Sequence, residues 1–222
     1  MPWPSPQAAG PLVCYVTDRL AFFPNASSDE SQAAARLLET IHRAAHAGVD
    51  AVQLREKDLS ARALLELAAQ AVGQSPNARI LVNDRLDVAL AAGAAGVHLG
   101  GESVPVADAV QFRAAVRAPA GFLIGRSCHS LEEVLAAERD GADYVFFGPV
   151  FATPSKTRFG APHGPSVLAA VCRATRIPVL AIGGITLENA RTCLASGAAG
   201  IAAIRLFQEA KDLTALVHDL KQ

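Results

Sequence analysis

Pro178-Val179-Leu180-Ala181-Ile182-Gly183-Gly184-Ile185-Thr186-Leu187-Glu188-Asn189 carries one complete structural unit. A short apolar run reads as a buried strand, two glycines end it, and Thr186 stands where a helix would be capped. Asn189, three residues on, is a weaker partner for a capping box than Glu or Gln. The same unit recurs along the chain. Strands are expected from Leu12 (LVCYVTD), Ala51 (AVQLREK), Arg79 (RILVND) and Gly96 (GVHLG), then from Phe122 (FLIGRS), Tyr144 (YVFFGPV), Pro178 and Gly200 (GIAAIRLF). Each is short, apolar and bounded by Gly, Pro or polar residues.

Helical stretches of Ala, Leu and Glu lie between them. Ser31–Ala47 is one, Ser60 opens another that runs to Gly73, and Ser130-Leu-Glu-Glu133 is a capping box for a third ending at Arg139. Ala47-Gly48, Ala92-Gly93 and Ser196-Gly197 read as helix ends whose glycines hand over to the next strand. Strand–helix units repeated eight times, joined by right-handed crossovers, predict an α/β fold: a single (β/α)8 TIM barrel over residues 11–222. The competing open doubly wound sheet lacks a Gly-x-Gly-x-x-Gly after the first strand, where the chain reads Thr17-Asp18-Arg19-Leu20. Residues 1–10, rich in proline, are expected to form a disordered tail.

Composition agrees and excludes several classes. Hydrophobic residues make up 51% of the 222 and aromatics 5%, so the core is aliphatic, as in a parallel sheet covered by helices. A net charge of −1 leaves no basic footprint for nucleic acid. Cys14, Cys128, Cys172 and Cys193 are far apart and without zinc spacing, so they are expected as thiols in a cytoplasmic protein. Neither a signal peptide nor a membrane span is expected.

In a barrel, chemistry sits where strands end. Strand 2 ends in Gln53-Leu54-Arg55-Glu56-Lys57, and alternation turns Gln53, Arg55 and Lys57 to one side. That row suits a multiply charged anion; the alternative is a solvated strand end with surface ion pairs. Strand 3 ends in Asn83-Asp84, where Asp84 is either a Mg²⁺ ligand beside phosphate or the cap of a helix starting at Leu86. Strand 5 ends in Gly125-Arg126-Ser127-Cys128-His129, which offers His129 as an acid/base, a supporting donor or a loop residue. Strand 6 leads to Thr153-Pro154-Ser155-Lys156, a loop with anion donors that is long enough to close over a ligand. Gly183-Gly184 lets backbone N–H groups approach phosphate, and Ile204-Arg205 ends strand 8. His42 and His46, spaced i,i+4, are expected on an exposed helix face, and His98 inside the barrel. No Gly-x-Ser-x-Gly nucleophile motif is present.

From Cys14 to Phe207 these motifs, in this order, resemble the thiamine phosphate synthase and thiazole tautomerase superfamily. The resemblance implies phosphorylated pyrimidine and thiazole compounds as ligands, Mg²⁺ as cofactor, and a homodimer as the one assembly left open. Gln53, Leu54, Arg55, Glu56 and Lys57 would then hold a pyrimidine diphosphate, with Asn83, Ser127 and Lys156 completing that pocket. Asp84 would bind Mg²⁺, and Thr153, Pro154, Ser155, Gly184, Ile204 and Arg205 would surround the thiazole phosphate. Arg55, Lys57, Ser127, His129 and Lys156 would lie at the chemistry.

Two positions depart from the synthase pattern. Gly100-Gly101-Glu102-Ser103 stands where synthases have Gly-Gln-Glu-Asp, so a second carboxylate is missing unless Glu102 replaces it. Arg205 stands in place of a small Ser. The synthase reaction is the expected one. A thiazole tautomerase using His129, or a barrel that binds thiazole phosphate without turnover, are the alternatives.

Overall fold

The computed structural model describes residues 10–22, 30–153 and 161–222. The expected tail thus lies outside the described residues except for Gly10. Eight parallel strands close in sequence order: β1 (Leu12–Val16), β2 (Ala51–Leu54), β3 (Arg79–Asn83), β4 (Gly96–Leu99), β5 (Leu123–Cys128), β6 (Tyr144–Phe147), β7 (Val179–Ile182) and β8 (Gly200–Ala203). β1 closes the ring against β8 through the pair Leu12↔Gly200. Outside run α1 (Glu30–Ala47), α2 (Ala61–Gln74), α3 (Leu86–Ala91), α4 (Val106–Ala115), α5 (Leu131–Arg139), α6 (Gly164–Ala174) and α7 (Leu187–Ala195). A short α8 (Arg205–Gln208) and α9 (Leu213–Leu220) follow β8. The open-sheet alternative is thereby excluded.

Strand alternation sorts the side chains into two cores. Leu12, Cys14, Leu81, Leu123, Tyr144, Phe146 and Leu180 fill the barrel interior. Val13, Tyr15, Val52, Leu54, Val82, Val97, Ile124, Val145 and Ile201 point outward against the helices. The helices meet them with amphipathic faces. In α2 the buried residues are Leu64, Leu67, Ala68 and Ala71, the i, i+3, i+4, i+7 stripe of a helix on a sheet. Each large aliphatic side chain so buried contributes about 1.5–3 kcal/mol.

The predicted caps form, with one reversal. Ser60 accepts from Ala63 N–H at 3.2 Å. Thr186 and Asn189 make the reciprocal capping box that looked weak in sequence. At α5, Ser130 accepts from Glu133 N–H, but the Glu133 carboxylate reaches past the cap to His129 N–H. Gly48, Gly93 and Gly197 hold the positive φ values that end their helices. All four cysteines are free, and no helix among the described residues is long and apolar enough to cross a membrane.

One glycine prepares the site. A methyl carbon on Gly125 would lie 2.1 Å from Cζ of the Tyr144 ring, its partner in register on β6. Only glycine lets that ring lie across β5 and reach the middle of the barrel.

Candidate functional site

Inward-facing positions change character along the strands. The inner cluster is apolar, whereas at the C-terminal ends the residues are Gln53, Asn83, His98 and Ser127. Burying such groups costs free energy unless they pair, and these pair with one another. Gln53 Nε2 donates to Asn83 Oδ1 at 2.8 Å, and Asn83 Nδ2 donates to Asp84 Oδ2 at 2.6 Å. The His98 ring nitrogens meet the Tyr144 hydroxyl at 3.0 Å and Ser127 Oγ at 2.9 Å. This layer floors the mouth of the barrel.

His98 is 1% exposed. Burial drives its pKa from 6.5 down to about 3, with Arg126 and Arg55 adding to the fall and Asp84 opposing it. The imidazole is therefore neutral, one nitrogen donating and the other accepting, and both hydroxyl neighbours can take either role. Between pH 6.5 and about 3 the unfolded chain binds this proton and the folded chain does not. His98 should accordingly contribute a loss of stability on acidification through that window, at most about 1 kcal/mol per pH unit. His98→Gln should remove this contribution. Urea titrations of both proteins between about pH 6 and 4.5 check it; identical slopes would refute the assignment.

Asp84 sits at the strand end with φ 62°, a left-handed backbone that non-glycine residues adopt rarely. Its Oδ1 accepts from Gly100 N–H at 2.9 Å and from the Ser103 hydroxyl. Burial opposes its charge, but Ser103, Gly100 N–H, Lys57 and Asn83 together outweigh that and hold the carboxyl below its ordinary value. Helix α3 begins beyond Arg85 without a side-chain cap, so the capping alternative for Asp84 is wrong. The loop after β4 turns Ser103, not Glu102, toward Asp84, and Glu102 is exposed. Among the described residues no three His, Cys, Asp or Glu side chains group as a metal cluster.

The strand 2 motif divides. Gln53 faces the interior, Arg55 is half-buried and Lys57 is exposed. Leu54 is wholly buried in the outer core, so only its main chain is open to a ligand. Glu56 is 4% exposed, and its carboxylate accepts from the Thr17 hydroxyl, the Arg19 main-chain N–H and the Arg19 guanidinium. A ligand therefore meets neither side chain of Leu54 nor Glu56, because alternation turns both to the outer side of the barrel. Residues Thr17, Arg19 and Tyr144 had no place in the pocket expected from sequence. The signals existed: acidic residues flank Lys57 and call for a buried cation, and a glycine within β5 calls for a ring on its neighbour.

On the other side of the mouth, Val150 N–H donates to Ile182 O and Phe151 N–H to Gly183 O, both at 3.0 Å. This joins the β6 loop to the end of β7. Gly183 and Gly184 have φ 93° and 66°, and a methyl carbon on Gly184 would lie 2.5 Å from the Ala152 carbonyl oxygen. The glycine pair is thus demanded first by the neighbouring loop. Thr153 is half-buried at the end of this segment, while Pro154, Ser155 and Lys156 lie outside the described residues. Ile204 packs against the inner core beside the mouth, and Arg205 is exposed on α8.

His129 Nδ1 donates to the Gly148 carbonyl, which fixes the tautomer and leaves Nε2 as the basic nitrogen. It stands at the root of the β6 loop, apart from the Gln53–Asn83–Asp84 chain of hydrogen bonds. His42 and His46 are exposed on α1 with rings 4.4 Å apart, as expected of a helix face. A groove of about 580 Å³ between Phe22, Arg36, Arg43 and Phe207 lies on the outer wall and includes none of the polar mouth residues.

The model of the thiamine monophosphate synthase family matches residues 26–207. The chain belongs to that family. Thiamine-phosphate synthase of Chlorobium luteolum is 40% identical over 203 residues, covering 90% of this chain and 87% of that one. Thiamine-phosphate synthase of Methanocella arvoryzae is 44% identical over 185 residues, covering 82% and 85%. The solved thiamine phosphate pyrophosphorylase of Pyrococcus furiosus superposes with a TM-score of 0.78 at 33% identity, covering 94% and 93%. A 3-hexulose-6-phosphate synthase, with a TM-score of 0.68 at 17% identity, shares the fold alone. Family membership thus rests on sequence and fold together.

Proposed function

We propose that this chain is a thiamine-phosphate synthase. It joins 4-amino-2-methyl-5-pyrimidinylmethyl diphosphate to thiazole phosphate and releases diphosphate. The observation that carries the reading is the mouth itself. A cationic row, Arg55 and Lys57, stands beside an ionised Asp84, with a neutral polar floor beneath them.

In this reading Arg55, Lys57 and Lys156 bind the diphosphate, and Gln53, Asn83 and Ser127 orient the pyrimidine. Gly184, Thr153, Pro154, Ser155, Ile204 and Arg205 receive the thiazole phosphate. The bond from the pyrimidine methylene carbon to the diphosphate oxygen breaks, the oxygen keeping the electron pair. The thiazole nitrogen supplies the pair for the new C–N bond. No protein nucleophile is required, and the cations meet charge as it grows on the leaving group.

Asp84 fits a hard cation: its donors are oxygen only, its carboxyl is held charged, and Ser103 places a hydroxyl beside it. It would hold Mg²⁺ together with diphosphate oxygens and water. When bound, Mg²⁺ neutralises part of the departing diphosphate's charge. His129 then serves the β6 loop through Gly148 and needs to move no proton. The four free thiols suit a reducing compartment, and we place the reaction in the cytoplasm.

A coupling assay tests this reading. Arg55→Ala should weaken the pyrimidine diphosphate by about 1.5–3 kcal/mol, the range for a hydrogen bond to a charged group. The KM for thiazole phosphate should stay near wild type. Unchanged affinity for the diphosphate substrate would overturn the assignment. So would wild-type protein that isomerises thiazole carboxylate phosphate and couples nothing.

A further inference from the structure

We infer that Arg19 is a positioning residue for the anion-binding row, acting through the two carboxylates that flank Lys57. The inference rests on the reading that Lys57 meets the diphosphate.

Arg19 opens a short 3-10 helix (Arg19–Phe22) just beyond β1 and is 2% exposed. Its guanidinium grips Asp58 with two parallel bonds, Nη1 to Oδ1 and Nη2 to Oδ2, each 2.6 Å. Nη1 also lies 3.3 Å from Glu56 Oε2. The Arg19 main-chain N–H donates to the same Glu56 carboxylate at 3.1 Å. Thr17 extends the clamp: its hydroxyl donates to Glu56 Oε1 and accepts from Arg55 N–H at 3.0 Å. From Arg55 to Asp58, every residue except Lys57 is therefore tied to the β1 loop.

A bidentate arginine is a rigid connector, because the planar fork fixes angle as well as distance. Lys57 lies on a turn between Glu56 and Asp58, both held by Arg19, so its backbone is placed while its side chain is exposed to a ligand. The clamp has an electrostatic side too. Residues 55–58 alternate in charge and cancel formally, and Arg19 leaves the cluster net positive. Unclamped, Glu56 and Asp58, its neighbours in sequence, would compete for the Lys57 ammonium, which already feels the Asp84 carboxylate.

Asp58 gives a test whose sign is informative. Its side chain is 48% exposed, so Asp58→Asn leaves the buried Arg19–Glu56 pair and the fold in place. Were Asp58 only a surface carboxylate beside a cationic row, neutralising it would strengthen anion binding. A positioning clamp predicts the opposite. Titration calorimetry with inorganic diphosphate in the presence of Mg²⁺, on the full chain, should show Asp58→Asn and Arg19→Lys each weakening binding about threefold to tenfold, as one charge-assisted bond is lost or loosened. Thiazole phosphate should bind within about twofold of wild type.

In a Lys57→Ala background, the Asp58→Asn effect should vanish, because it acts through Lys57. A merely structural role would survive that background. Tighter or unchanged diphosphate binding in Asp58→Asn, or an equal loss with and without Lys57, overturns the inference. If Lys57→Ala alone leaves diphosphate affinity unaltered, the assignment of the row itself fails instead.

Discussion

Gly184→Val is expected to abolish thiazole phosphate binding while the barrel still folds. A methyl carbon there would sit 2.5 Å from the Ala152 carbonyl oxygen and 2.8 Å from the Phe151 main chain. Backbone cannot yield as a flexible side chain does, so the β6 loop must move. The left-handed φ of 66° adds strain for a β-branched residue, about 1–3 kcal/mol. Thr153 lies directly downstream of the displaced segment. Misplacement by about 1 Å can cost a hundredfold in rate, so coupling should fall by at least that order. Affinity for the pyrimidine diphosphate should hold, since Arg55 and Lys57 belong to the β2 end. Calorimetry with each ligand, beside a thermal melt, separates the two outcomes. A folded variant with wild-type affinity for thiazole phosphate would remove Gly184 from the site.

The second large effect concerns Asp84. Asparagine tolerates the left-handed backbone, and its side-chain oxygen can still accept from Gly100 N–H and Ser103. Asp84→Asn therefore removes charge with little change of shape, losing only the bond that Asn83 Nδ2 donates to the other carboxylate oxygen. The Mg²⁺ concentration for half-maximal coupling should rise about tenfold to a hundredfold, the equivalent of one lost charge-assisted ligand. Ser103→Asp should act in the opposite direction. It sets a second carboxylate beside Asp84, which repels without metal and cooperates with it. The melting temperature of Ser103→Asp should thus be lowered without Mg²⁺ and recover on its addition, a readout independent of turnover. A Mg²⁺ dependence untouched by either substitution would place the metal elsewhere.

Most of the fold was legible because the barrel repeats one local rule eight times. Strand starts, glycine helix ends and the Ser60 and Ser130 caps are local features, and sequence spacing reports local features well. The inward facing of Gln53 and Asn83 was readable for the same reason, since strand alternation is local too. What escaped depends on contacts between distant segments. Arg19 and Asp58 are neighbours only because β1 and β2 are adjacent in the ring, and Tyr144 enters the floor only through its register with Gly125. Leu54 and Glu56 share a contiguous motif with Gln53, yet alternation turns both of their side chains away from it. For Asp84, a single carboxylate before a helix fits both cap and ligand until its partners are seen.

Sequential strand order also sets a timetable. Every pairing but one joins a strand to its successor in the chain, and the last, Leu12 with Gly200, spans almost the entire polypeptide. As the chain leaves the ribosome, β1 and β2 can meet early, bringing Arg19 to Glu56 and Asp58. The half of the mouth built on β7 and β8 must wait for the end of synthesis. Until then the flank of β1 that will pair with β8 is an open strand edge, the kind that seeks other chains. A growing chain can therefore bring the β1 and β2 ends together before it can cover that edge, and only the arrival of β8 closes it.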